Sequence, residues 1–170
     1  FIDYADQLRF DLRDDDRIVR HAQGFDVDES DDIIIRAANA LRDAYRASGI
    51  DTPGVAITLD KRLPMGAGLG GGSSDAATTL LALNHLWGGR LDIEQLAEIG
   101  GRLGADVPVC MVGHAAHMTG IGDHVLPLTM EPMHAVLINP RVSVATPKVF
   151  KALSRKDNPP MSPWPEGGGK

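Results

Sequence analysis

Residues 63–80 read LPMGAGLGGGSSDAATTL: five glycines fall within the seven positions 66 to 72, and a run of good helix formers follows at once. Glycine loses more backbone entropy on ordering than any other residue, so a fixed glycine-rich stretch marks a place where backbone must come close to something. The flanks are ordered by their own patterns. Upstream, GVAITLDKRLP (54–64) reads as a strand that ends in a basic pair and a proline. Downstream, Ala76, Leu80, Leu83 and Trp87 make one apolar stripe at helical spacing, with Ser73 or Ser74 as the cap and Gly88-Gly89 as the stop. A flexible linker would not be gripped by two such elements.

Strand, glycine-rich turn and helix start together make an anion site, because bare N–H groups and the positive end of the helix dipole converge there. Phosphate is the natural guest. The P-loop pattern GxxxxGK(S/T) is excluded, since no lysine follows any of these glycines. The dinucleotide pattern GxGxxG is matched literally by Gly66, Gly68 and Gly71, but its context fails. Five residues, Pro64 among them, separate the strand from the first glycine, and about twenty residues on there is a helix rather than a strand ending in an acid.

PMGAGLGGGSSDAA (64–77) resembles the phosphate-binding motif of the GHMP kinases, the family named for galactokinase, homoserine, mevalonate and phosphomevalonate kinases. KRLPMGAGLGGGSSDAA, LGADVPV, HAAHMTGIGDHVLPL and ATPKVF follow in order over almost the whole chain. Together they are similar to one branch of that family, which phosphorylates the 2-hydroxyl of a cytidine diphosphate-linked methylerythritol. The resemblance implies an α+β fold: a two-layer ATP-binding domain of the ribosomal protein S5 domain 2-like type over residues 1–130, lacking its first strand, and the start of a second, substrate-side α+β domain over 131–170. It also implies that a strand bearing a catalytic lysine precedes Phe1 and that a third glycine-rich motif follows Lys170. On that expectation the 170 residues alone are nearly inactive, with marginal stability or association, as a homodimer for instance.

The same resemblance assigns roles. ATP would be wrapped by Pro64, Met65, Gly66, Ala67, Gly68, Leu69, Gly70, Gly71, Gly72, Ser73 and Ser74, with the two serines serving as cap, phosphate donor or Mg²⁺ neighbour. Lys61 resembles a nucleotide-contacting lysine, the alternative being an ordinary solvated one. Asp75 brings a negative charge to a site meant for anions, offset by the helix dipole and by Mg²⁺. Asp106, which its neighbours alone would mark only as a turn residue, becomes the general base for the substrate hydroxyl. Asp32 stands where the family has Asn beside the nucleoside, which puts a nucleotide contact there in doubt. Thr146 and Phe150 match positions near the alcohol substrate; a helix cap and a core aromatic are the alternatives. Other expectations compatible with the loop are a GHMP kinase for homoserine or a mevalonate derivative, and a non-catalytic nucleotide-binding module.

Composition agrees with a globular protein. The chain has 170 residues, 43% of them hydrophobic, enough for a real core, and its formal net charge of −6 leaves no broad basic surface for nucleic acid. The longest apolar runs are too short to span a bilayer and no leader pattern opens the chain, so a cytoplasmic protein with neither membrane nor nucleic-acid partner is expected. The single cysteine, Cys110, lies in the apolar run VPVCMV and reads as core filler; His114 and His117 lack a carboxylate at metal-ligand spacing.

The remaining elements follow from pattern. LRFDLR (8–13) alternates like a half-buried strand, and RIVRHAQG (17–24) is expected to pair with it antiparallel across the acidic turn DDD. Ile34, Ala38, Leu41 and Tyr45 predict a helix that stops at Gly49, and LDIEQLAEIGGRLG (91–104) predicts another. Residues 107–139 are expected to form strands joined by turns at GH and TGIGDH, with MHAVLINP (133–140) a further strand and ATPKVFKAL (145–153) a short helix entered through Pro147.

Overall fold

The computed structural model describes residues 1–22, 31–120, 122, 124–139 and 146–155. Its centre is a three-stranded sheet of β1 (Gln7–Arg13), β2 (Ile18–Ala22) and β3 (Gly54–Asp60). β3 lies in the middle, antiparallel to β1 and parallel to β2. The expected hairpin between residues 8–13 and 17–24 is therefore corrected: the two strands flank β3 rather than each other. Burial is the reason. Val55, Ile57 and Leu59 alternate onto one face at 0–3% exposure, so β3 is the strand that most needs neighbours on both edges. The acidic turn arcs over its start, where the Gly54 amide donates to the Asp15 carbonyl (2.6 Å) and the Val55 amide to that of Arg17 (2.9 Å). A Cβ on Gly54 would stand 2.5 Å from both carbonyl oxygens, which is why glycine opens this strand.

Joining two parallel strands requires a crossover, and α1 (Ile33–Ala47) supplies it between β2 and β3. Asp32 caps this helix, accepting from the amides of Ile34 (2.9 Å) and Ile35 (3.4 Å). α1 packs with α2 (Gly71–Leu86) on the covered face of the sheet, and α3 (Ile93–Leu103) and α4 (Val107–Val112) close the layer around them. Ile34, Leu41 and Tyr45 of α1, Val55 and Ile57 of β3, Leu80 and Leu83 of α2, Leu96 and Val107 form one core. The result is a two-layer α+β domain, the architecture expected from the sequence.

Polar pins fix the helix layer to the sheet. Arg42 donates to Thr52 Oγ1 (3.1 Å), to the Asp16 carbonyl (2.6 Å) and to the Pro53 carbonyl (2.9 Å), and its guanidinium lies 5.5 Å from the Trp87 ring centre. Tyr45 donates to Asn84 Oδ1 (2.7 Å) and meets Trp87 edge-on.

Residues 107–112, expected as a strand, form α4 instead. Pro108 sits in the first turn, where its missing amide costs nothing, and Val107 packs against Gly100 so closely that a Cβ there would lie 2.8 Å from Val107 Cγ1. β4 (Ala116–Thr119) and β5 (His124–Pro127) form the hairpin that TGIGDH suggested. Residues 133–139 form no strand: with no described strand beside them, Met133, Val136 and Ile138 stay 74–89% exposed. A short helix, α5 (Thr146–Lys151), matches ATPKVFKAL and touches no other described element.

Candidate active site

β3 delivers the chain through Lys61-Arg62-Leu63 to the glycine-rich loop, and α2 begins at Gly71, two residues before Ser73. The serines are therefore not the cap. Gly70 is, with a left-handed backbone (φ 69°) that a side-chain-bearing residue adopts only at a cost, and no side chain caps the helix. Ser73 and Ser74 lie inside the first turn, so their hydroxyls are not committed as caps. The Ser74 amide closes the first helical bond to the Gly70 carbonyl (2.9 Å), which leaves those of Gly71, Gly72 and Ser73 without an intrahelical acceptor. Three backbone donors and the positive end of a 16-residue helix thus meet at one point.

Beside this point runs a cavity of about 130 Å³, lined by Asp31, Asp32, Ile33 and Ile34 at the start of α1, Leu59 and Lys61 at the end of β3, and Met65, Gly72 and Asp75. Among the described residues, three part-buried ion pairs border it. Asp32 binds Arg20 of β2 with one carboxylate oxygen while the other caps α1, so both oxygens are engaged within the fold. Lys61 is half-buried and paired rather than freely solvated: its Nζ donates to Asp75 Oδ2 at 2.9 Å and to Asp6. Burial pushes the Asp75 carboxyl up from its usual value, and the bond to Lys61 pulls it part of the way back. A lysine of this chain thus also answers the charge of Asp75, beside the helix dipole.

Asp106 sits at the start of α4, exposed, with no capping bond from its carboxylate to its own helix. The turn that carries it abuts the first turn of α2, since a Cβ on Gly104 would lie 4.0 Å from Ser73 Oγ. Cys110, half-buried one helical turn further on, registers the same neighbourhood: burial first, then the negative charges of Asp106 and Asp75, push its thiol up. Its packing against the core agrees with its reading as filler. The structure thus brings Lys61 and Asp75 together beside the loop and sets the turn that carries Asp106 against Ser73. Among the described elements α5 makes no contact with them, and the side chains of Thr146 and Phe150 lie outside what the structure describes. Sequence pattern alone does not single out Asp6 or Arg20. For Asp6 the signal existed in the strand register, because pairing Gln7 with Asp60 sets Asp6 opposite Lys61.

Residues 32–114 match the family model of the GHMP kinases N terminal domain. The chain is 52% identical over 149 residues to a 4-diphosphocytidyl-2-C-methyl-D-erythritol kinase of Ralstonia pickettii (strain 12J), covering 88% of this chain and 50% of that protein. It is 47% identical over 174 residues to the enzyme of the same name from Pseudomonas syringae pv. syringae (strain B728a), covering 100% of this chain and 60% of the relative. The chain thus spans about half the length of the curated relatives it matches. A crystal structure of a 4-(cytidine 5'-diphospho)-2C-methyl-D-erythritol kinase superposes with a TM-score of 0.74 at 38% identity, over 93% of this chain and 55% of the other.

Proposed function

The chain belongs to the GHMP kinase family, and from that premise we propose that the protein of which it is part transfers the γ-phosphoryl group of ATP to the 2-hydroxyl of 4-diphosphocytidyl-2-C-methyl-D-erythritol. The observation that carries this reading is the uncapped start of α2 with the Asp106 turn against it. The names of the 47–52% identical relatives favour this alcohol over homoserine or mevalonate.

The triphosphate lies along Pro64 to Ser74, and the amides of Gly71, Gly72 and Ser73 donate to phosphate oxygens. Asp106 accepts the proton of the 2-hydroxyl as its oxygen bonds to the γ-phosphorus, and the bond from that phosphorus to the bridging oxygen of ADP breaks. The nucleoside end of ATP enters the cavity beside Lys61. Among the described residues no three His, Cys, Asp or Glu side chains are grouped to hold a metal. The donors at hand, the Ser73 and Ser74 hydroxyls at the start of α2, would suit a Mg²⁺ that keeps several waters and neutralises charge on the phosphates.

The reading divides the chain into an ATP-binding domain, 1–130, and the start of a substrate-side domain, 131–170, in which Thr146 and Phe150 meet the alcohol. The hairpin ending at Pro127 and the exposed, irregular stretch beyond it support that boundary. A cytoplasmic homodimer completes the proposal; no described helix is long and apolar enough to cross a membrane.

The complete protein, incubated with ATP and each alcohol in turn, is expected to phosphorylate the cytidyl substrate fastest. Faster phosphorylation of homoserine or mevalonate overturns the assignment. The Gly70→Ala variant should lose about 1–2 kcal/mol of stability to a left-handed alanine, read by chemical denaturation; an unchanged stability would contradict the left-handed start of α2.

A further inference from the structure

The glycine-rich loop is held at a neck, and the group at the centre of the neck is Asp6. Its side chain is 2% exposed. One carboxylate oxygen accepts from the backbone amides of Arg62 (2.7 Å) and Leu63 (2.8 Å), the last two residues before the loop, and the other accepts from Lys61 Nζ. Lys61 in turn donates to Asp75 of α2 at 2.9 Å. The first residue of α2 closes on the same spot: a Cβ on Gly71 would stand 3.2 Å from Leu63 Cδ1, 3.4 Å from Lys61 Nζ and 3.5 Å from Asp6 Oδ2. Tyr4 adds a hydroxyl bond to the Arg62 carbonyl (3.1 Å), so the entry to β1 grips the segment before the loop from both sides.

We propose that Asp6 is a positioning residue for nucleotide binding, fixing both ends of loop 64–70 through the amides of Arg62 and Leu63 and through the ammonium of Lys61. The inference rests on the proposed nucleotide site. A loop of seven residues with free ends would have to be ordered by the nucleotide itself, at a cost in affinity. With its ends fixed, much of that ordering is complete before ATP arrives. Burial works against the Asp6 carboxylate, yet its bonds to Lys61, Leu63 and Arg62 hold it below its usual value, so it enters the neck as the charged acceptor this arrangement needs.

The test uses the complete protein and a non-hydrolysable ATP analogue, read by calorimetry alongside steady-state kinetics. Asp6→Ala is expected to weaken analogue binding tenfold or more and to raise KM for ATP in step, with KM for the alcohol unchanged. Asp6→Asn, which still offers an oxygen to the Arg62 and Leu63 amides, should recover analogue affinity to within about threefold of the parent. Independently of any variant, those two amides in the nucleotide-free parent should exchange at least 100-fold more slowly than unprotected ones. Unchanged analogue affinity in a folded Asp6→Ala, an equal rise in both KM values, no recovery in Asp6→Asn, or rapid exchange at Arg62 and Leu63 would each overturn the proposal. A parent protein that does not bind the analogue would instead sink the nucleotide site itself, while slow exchange at the two amides would still report the neck.

Discussion

Replacing Asp106 with asparagine in the complete protein is expected to lower kcat by roughly 10² to 10⁴, the usual worth of a positioned general base, while KM for ATP stays close to the parent value. Asparagine keeps the shape of the side chain and removes only its ability to take the proton of the attacking hydroxyl. The fold should not register the change: the residue is exposed and its carboxylate does not cap α4, so stability is expected to stay within about 0.5 kcal/mol. In phosphoryl transfer through a loose transition state, positioning and charge neutralisation carry much of the acceleration, so residual activity is expected rather than none. Turnover equal to the parent's would reduce Asp106 to the turn residue that its immediate neighbours suggest.

The largest loss of stability is expected at the junction of sheet and helices. Leu80 of α2 is fully buried in the core that also holds Leu41, Val55 and Ile57. Truncating it to alanine should cost about 2–5 kcal/mol in chemical denaturation, through lost transfer energy and the cavity left behind. Because α2 also carries the phosphate-binding amides at its other end, nucleotide affinity measured well below the melting temperature should change far less than stability. A loss below about 1 kcal/mol would mean that α2 does not pack as described.

The elements that proved legible in the sequence are those whose signals are local. α1 announces itself by Ile34, Ala38, Leu41 and Tyr45 at helical spacing, and β3 by alternation that ends in a proline. The glycine loop was legible as an anion site because the strand before it and the helix after it were both readable. What failed was non-local. A four-residue acidic turn favours a hairpin between its flanking strands, and only the burial of Val55, Ile57 and Leu59 inserts β3 between them. That one misplacement also hid Asp6: with β1 paired to β2 there is no reason to set Asp6 beside Lys61, and with β1 paired to β3 the register does so directly. Local composition misled at Val107–Val112, where β-branched residues suggest a strand but Pro108 and the close seat on Gly100 make a helix turn. Ser73 and Ser74 look like caps by residue type, yet the left-handed Gly70 starts the helix earlier and leaves its amides open, which suits an anion better.

The structure of the complete protein with a non-hydrolysable ATP analogue tests the central claim most directly. The account predicts phosphate oxygens about 2.7–3.2 Å from the backbone nitrogens of Gly71, Gly72 and Ser73, with the terminal phosphate on the side of Asp106. Phosphates bound away from the start of α2, or a terminal phosphate turned away from Asp106, would contradict it.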